Sequence, residues 1–242
     1  MRAETRRQLK QDKFSKTTLQ VAEQTVHWSA EHKGKLMAGA AIALLVIGGA
    51  LGIWYYWSTQ DEKASIDFTR GVQTLNAPIR PAGMPPQPDL VTFASSTERA
   101  TEARKQFQAI ADKYPHTRAA DYARYFVGVT SSQLGDYAAA ERELKAVSES
   151  HNSELASLAK VALASVYRNN NRTKDALDLY KGLIADPTRT VGKTSAQIQL
   201  AETYEAAGMN ADAKKLYEQI QKESPQTEAG QIAAARLQEL TK

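Results

Sequence analysis

Three stretches of this chain, residues 125–147, 163–183 and 200–220, repeat one another at offsets of 36 and 37 residues. Self-similarity at such a period restricts the chain to a repeat architecture. A small residue recurs at Gly128, Ala164 and Ala201, and a turn residue at Gly135, Asn171 and Gly208. A second small residue follows at Ala140, Ala176 and Ala213, then a large one at Leu144, Tyr180 and Tyr217, then an aliphatic at Val147, Leu183 and Ile220. The order reads as two antiparallel helices joined by a tight turn. Small residues on facing helices let the backbones approach, and Gly or Asn tolerates the left-handed conformation that ends the first helix. One such hairpin cannot bury its own apolar face, so stacked copies must supply the core.

A truncated copy precedes these three. Ala103, Phe107 and Ile110 anticipate Ala140, Leu144 and Val147 by 37 residues. Its first helix is expected over about 60–76, with Gly71 near the small-residue position. Between its two helices lies NAPIRPAGMPPQPDL, which holds five of the eight prolines and cannot be helix interior. It reads as a proline-rich insert over about 77–94, a linker or a ligand for a partner. Pro115, Pro187 and Pro225 each follow a second helix, where a stop belongs. The last segment, TEAGQIAAARLQELTK, has the pattern of a capping helix.

The repeated residues resemble the tetratricopeptide repeat. The pattern departs at Arg124, where the first helix usually has a large apolar residue, and at Ser131, which stands for the usual tyrosine. The resemblance implies a concave surface lined by first helices and used to bind protein. In the first full repeat it carries Tyr122, Tyr125, Val129 and Gln133; in the second Val161, Ser165, Arg168 and Asn169; in the third Ile198, Glu202 and Glu205. Tyr122 and Tyr125 suit an extended polypeptide, since they offer large contact area at little rotamer cost. The competing reading packs one or both against the second helix of the truncated repeat. Some family members clamp a C-terminal carboxylate with Lys and Asn on these helices; Tyr125 and Val129 hold those places here, so the resemblance does not extend to that clamp.

Residues 36–57, LMAGAAIALLVIGGALGIWYYW, form an uncharged run of 22 residues. As a helix it spans about 33 Å, against a hydrocarbon core of about 30 Å. Trp54, Tyr55, Tyr56 and Trp57 mark one membrane interface, and Lys33 and Lys35 the other. A cleaved signal peptide would have a shorter leader, a shorter apolar run and small residues at its end. Gly48 and Gly52 are spaced for close approach of another helix, though small residues are also common in any membrane helix. The expected fold class is therefore all-α: a single N-terminal transmembrane helix followed by a tetratricopeptide-like helical-hairpin solenoid. The expected domains are a basic tail (1–35), the span (36–57) and a repeat domain (58–242).

Charge is unevenly placed. The tail has eight basic residues against Glu4, Asp12, Glu23 and Glu31, and the remaining 23 basic and 23 acidic residues cancel. The Lys/Arg bias puts the N-terminus in the cytoplasm and the repeat domain across the membrane. The tail reads equally as a surface helix on anionic lipid or as disordered chain. A neutral repeat domain has no field to attract phosphates, so nucleic acid is not expected as a partner.

Nothing in the sequence points to catalysis, a cofactor, a metal or a small-molecule substrate. Without cysteine, thiolate chemistry and disulfides are excluded. TVGKTS (190–195) contains a GKT, but Pro187 stands where a P-loop needs its first glycine and no strand precedes it. His27, His32, His116 and His151 are scattered. Glu141 and Glu143, two apart on a helix, point in different directions and cannot act as an acid/base pair.

The run from Trp28 to Ser65 carries a closer resemblance, in Trp28, Glu31, Gly34-Lys35, the apolar run, Trp54 and Tyr56-Trp57. It resembles YfgM-type proteins, ancillary subunits of the bacterial Sec translocon with a short cytoplasmic tail, one span and a periplasmic repeat domain. The resemblance implies a non-enzymatic scaffold of the inner membrane whose partners are translocon subunits, a periplasmic chaperone of the prolyl-isomerase class and unfolded polypeptide. The longer basic tail and the proline-rich insert depart from that pattern. A cell-envelope assembly or division scaffold unrelated to secretion is the alternative.

Overall fold

The computed structural model describes residues 33–85 and 90–240, so the expectations for the tail, with His27 and His32, lie outside the described residues. Two compact units divide the chain, Met1–Ser58 and Thr59–Lys242.

In the first unit the described residues are all helical and belong to helix α1 (Lys33–Asn76). Its apolar window has a mean hydropathy of 2.3, and none of it is buried. Leu44, Leu45, Val46, Ile47 and Trp54 are all exposed. A core helix of a soluble domain buries at least one stripe, whereas the apolar window of this helix is unburied on every side among the described residues. Gly48 and Gly52 face open space. Among the described residues, α1 is the one helix long and apolar enough to cross a membrane.

The second unit holds the remainder of α1 and eight further helices: α2 (Ser96–Lys113), α3 (Arg118–Gln133), α4 (Tyr137–Ser148), α5 (Ser153–Asn169), α6 (Thr173–Ala185), α7 (Lys193–Ala206), α8 (Asn210–Glu223) and α9 (Glu228–Leu240). From α2 onward each packs against the next. The hairpins are α3–α4, α5–α6 and α7–α8, with α9 as the closing helix. The latter part of α1 pairs with α2: Phe68 meets Phe107 at 5.6 Å between ring centroids, and the Thr74 hydroxyl lies 2.9 Å from Gln106 Oε1.

Local chemistry sets the ends of these helices. Ser95, Thr117, Asp136 and Asn152 each accept a hydrogen bond from the backbone N–H three residues on, which caps α2, α3, α4 and α5. The three hairpin turns are left-handed, at Gly135 (φ 77°), Asn171 (φ 58°) and Gly208 (φ 72°). Tyr114, Asp186 and Ser224 close α2, α6 and α8, and a proline follows each.

The repeated small residues are where the hairpins touch. Ala140, Ala164, Ala176, Ala201 and Ala213 are fully buried. At Gly128 a Cβ would stand 2.5 Å from Leu144 Cγ, so only glycine admits α4 at this distance. Leu144, Tyr180 and Tyr217 fill the space between hairpins, the first two within the central core and Tyr217 in the cluster towards the C-terminal end. A cluster around Phe107, Ile110 and Val127 serves the truncated repeat, with Phe68, Val72 and Phe126 packed on it.

The proline-rich insert is tied down at its ends. Ile79 and Phe93 form an isolated parallel bridge: the Arg80 N–H donates to Phe93 O (2.9 Å) and the Phe93 N–H to Pro78 O (3.2 Å). The Arg80 guanidinium donates to Thr92 O, and that of Arg99 to Ala77 O. The insert therefore leaves and rejoins the hairpin through a clamped neck.

Successive hairpins are also pinned by charge. Arg104 meets Asp136 at 3.2 Å, and Glu141 meets Arg172 at 2.8 Å. The two pairs occupy equivalent positions with their signs exchanged; the next equivalents are Leu177 and Met209. Arg172 also stacks on the Tyr167 ring, 4.1 Å from its centroid.

The segment containing the GKT crosses back to α5. Glu154 accepts hydrogen bonds from the Thr190 hydroxyl and from the Thr190 N–H (2.8 Å), and Arg189 lies 3.2 Å away. Gly192 is the residue before α7, and Val191 is buried. The Thr190 hydroxyl above all, then the Thr190 N–H and Arg189, holds the Glu154 carboxyl at about 2, below its ordinary 4.5. A depressed folded-state value means that this contact stabilises the fold fully above pH 4.5 and is lost as pH falls towards 2. Carbon-detected NMR of Glu154 should show that midpoint, and T190V should move it up towards 4.5. A midpoint unchanged by T190V would refute the attribution.

Candidate functional site

The surface to be judged is that of the first helices α3, α5 and α7. Five rings gather at its beginning. Phe107 and Phe126 stack at 4.9 Å, Phe68 lies against both, Tyr122 meets Phe68 edge-on at 6.2 Å, and Tyr125 meets Phe126 edge-on at 5.2 Å. Tyr122 thus contacts the first helix of the truncated repeat, with its outer part exposed (36%). Tyr125 is half-buried against the central core, as is Val129 one turn on, and burial pushes the Tyr125 phenol up. The rings sit together because α1 supplies Phe68 beside the stacked pair. Gln133 is exposed at the end of α3.

In the middle of the surface, Arg168 and Glu202 act on one phenol. Burial pushes the Tyr180 hydroxyl up, the charge of Arg168 pulls it down and that of Glu202 pushes it up again. Tyr180 lies 3.5 Å from Gln199 Oε1, and Gln199 Nε2 donates to Glu202 at 3.1 Å. Arg168, Gln199 and Glu202 therefore form a polar cluster over a buried aromatic. Asn169 is exposed at the end of α5, and Val161 and Ser165 are half-buried.

Two positions differ from the expectation. Ile198 is buried (7%) with Ala201, Tyr217 and Ile220, and Gln199 takes the half-exposed place. Helix α7 buries Ala196, Gln197, Ile198, Leu200, Ala201 and Thr203 and turns Ser195, Gln199, Glu202 and Ala206 outward; the polar Gln197 and Thr203 on its buried side blur the apolar stripe by which a sequence could show which residue faces out. Glu205 is engaged within the fold: it accepts from the Tyr217 hydroxyl at 3.1 Å and lies 4.0 Å from Arg236 on α9. Its acidity serves the closing helix, which the repeat pattern alone does not reveal.

The other titratable residues are dispersed. Glu141 pairs with Arg172 and Glu143 with Arg142, while His116 and His151 are exposed on separate loops. Among the described residues no group of His, Asp or Glu is arranged to hold a metal ion. The surface offers large rings, a polar cluster and helix faces, which are means of binding a polypeptide.

Comparison with known proteins agrees with this architecture. Residues 26–184 match the tetratricopeptide repeat-like domain, a match that begins before the apolar helix and ends in α6. Residues 195–227, covering α7 and α8, match a tetratricopeptide repeat. No curated protein matches the chain. The family match covers well over half of the 242 residues, and the chain belongs to the tetratricopeptide repeat-like domain family.

Proposed function

We propose that this protein is a membrane-anchored scaffold, an ancillary subunit of the bacterial translocon that holds a chaperone or an emerging polypeptide on the face of its first helices. The observation that carries the reading is the wholly unburied apolar window of α1, in a chain whose family match includes that helix. Residues 36–57 span the inner membrane, with Trp54, Tyr55, Tyr56 and Trp57 at one lipid interface and Gly48 and Gly52 open to another helix. Residues 1–35 lie in the cytoplasm and residues 58–242 in the periplasm, by the Lys/Arg bias of the tail. The span raises the local concentration of the repeat surface beside its partner, so modest contacts suffice. Tyr122, Tyr125, Val129, Gln133, Arg168, Asn169 and Glu202 form the binding face, while Glu205 contributes at its end through Tyr217 and Arg236.

A photoreactive residue at Tyr125, with a control at Lys145, tests this in intact cells. Capture of translocon subunits, a periplasmic chaperone or nascent secretory chains from position 125 alone is the expected result. Capture of only envelope-assembly or division proteins transfers the scaffold to that role. A periplasm-dependent reporter enzyme fused after Lys242 should be active, and a silent fusion would reverse the topology.

A further inference from the structure

The half-buried arginines of the repeat domain mostly have partners. Arg80 donates to Thr92 O and Arg99 to Ala77 O, Arg104 meets Asp136, and Arg236 meets Glu239. Arg124 lies within electrostatic reach of Asp121 on its own helix. Arg168, on the first-helix face of α5, makes no ion pair and no hydrogen bond among the described residues. The carboxylate nearest to it in the cluster is engaged elsewhere. Gln199 Nε2 donates to Glu202 at 3.1 Å, while Gln199 Oε1 lies 3.5 Å from the Tyr180 hydroxyl. Arg168 and Glu202 both act on that phenol, yet they do not pair. Arg168 stands in the last turn of α5, where the helix dipole favours a cation. That accounts for a positive charge there, but not for a half-buried guanidinium whose donors have no protein acceptor.

We infer that Arg168 selects the polypeptide held on this face by taking the side-chain carboxylate of a single Asp or Glu, set near an aromatic or large apolar residue of the bound segment. The inference deepens the scaffold reading of the first-helix face and rests on it. A planar guanidinium matches a carboxylate through two parallel hydrogen bonds, which a flexible ammonium does not. One and two turns before Arg168, Ser165 and Val161 are half-buried, so a carboxylate bound there is partly shielded from water and its attraction strengthened. Glu202 narrows the choice. Its charge lies in the same cluster and repels a second anion, so an isolated acid is favoured over an acidic run or a phosphate group. The apolar neighbour follows from the next helix. Tyr125 and Val129 of α3 pack on the same core as Val161, and α3 touches α5. Helices in contact lie about 8–10 Å apart, which an extended chain covers in about three residues. A residue resting on Tyr125 therefore stands about three positions from the acid at Arg168.

The test uses the full-length chain in zwitterionic nanodiscs and affinity selection from a messenger-RNA-displayed pool of random decapeptides, read by sequencing. Peptides selected on the unaltered chain should carry one Asp or Glu about three positions from an aromatic or large apolar residue. On R168Q the aromatic preference should persist and the acid preference should vanish. Exchanging the acid of a selected peptide for its amide should weaken binding to the unaltered chain about tenfold, and binding to R168Q by about twofold or less. Equal enrichment of acid on R168Q would overturn the inference. So would dominance of acidic runs, which bare charge attraction produces. If R168Q proves misfolded by circular dichroism, the acid-to-amide exchange on the unaltered chain decides alone, and unchanged binding there overturns the role of Arg168. Enrichment without an acid preference removes that role and leaves the binding face standing. A pool from which nothing is enriched also overturns the inference, and crosslinking from position 125 then decides whether the scaffold reading falls with it.

Discussion

Tyr180→Ala is expected to cost about 3–5 kcal/mol of unfolding free energy, the range for emptying a large aromatic site in a core. Tyr180 is only 1% exposed, so its ring is surrounded on every side. It sits in the central core with Ala164 and Ala176 of its own hairpin and with Ala196 and Leu200 of the next. Alanine would leave a void that those small residues cannot close. The void lies beneath Arg168, Gln199 and Glu202, so the binding face should loosen together with the core. Y180F keeps the ring and removes one long hydrogen bond, and should cost about 1 kcal/mol or less. Urea unfolding checks both. Near-equal midpoints for Y180A and Y180F would show that the ring does not hold the hairpins together.

Gly128→Val should cost about 3 kcal/mol through overpacking. The added Cβ alone would lie 2.5 Å from Leu144 Cγ and 2.8 Å from Leu144 Cδ2, with Ala140 O behind at 3.4 Å. Leu144 is fully buried and cannot swing aside into solvent. Either α3 and α4 separate, or Leu144 leaves its rotamer. The double variant G128V/L144A makes room for the valine. It should be more stable than the sum of the two single losses predicts, with a coupling of about 1 kcal/mol or more. Strict additivity in a double-mutant cycle would sink the argument that these two side chains share one space.

The hairpins were readable from the sequence because their requirements are local and repeated. A small residue is demanded wherever two backbones approach, a Gly or Asn wherever a turn is left-handed, and a large residue wherever hairpins stack; each demand recurs three times, at offsets of 36 and 37 residues. The ends of α2, α6 and α8 were readable for the same reason, since proline cannot continue a helix. What the sequence hid depends on meetings without a periodic signature. The neck of the insert joins backbone groups of Pro78, Arg80 and Phe93, which any residues could supply, and the Arg80 and Arg99 guanidiniums that tie it, to Thr92 O and Ala77 O, stand in no repeated register. Glu205 is drawn to Tyr217 and Arg236 by a fold in which α9 returns to α7, and nothing in its own segment marks it. Phe68 joins Phe107 and Phe126 only because α1 lies against α2. Position 198 went the other way: with polar Gln197 and Thr203 buried on the same helix, residue type gives no sign that Gln199 rather than Ile198 reaches the surface.

The pinning pairs between hairpins have a consequence for the gene as well as the fold. Repetitive coding sequences are prone to lose or gain a copy by unequal recombination, and any exchange in register preserves the helices. Here it would not preserve the contacts. Deleting the first full repeat would set Arg104 against Arg172, two cations, and duplicating it would set Glu141 against a second Asp136, two anions. Deleting the second would leave Glu141 facing Met209. The two charged junctions match best in their present order, so that order is written into their edges, and exchanges that bring like charges together carry a small penalty that the intact order avoids.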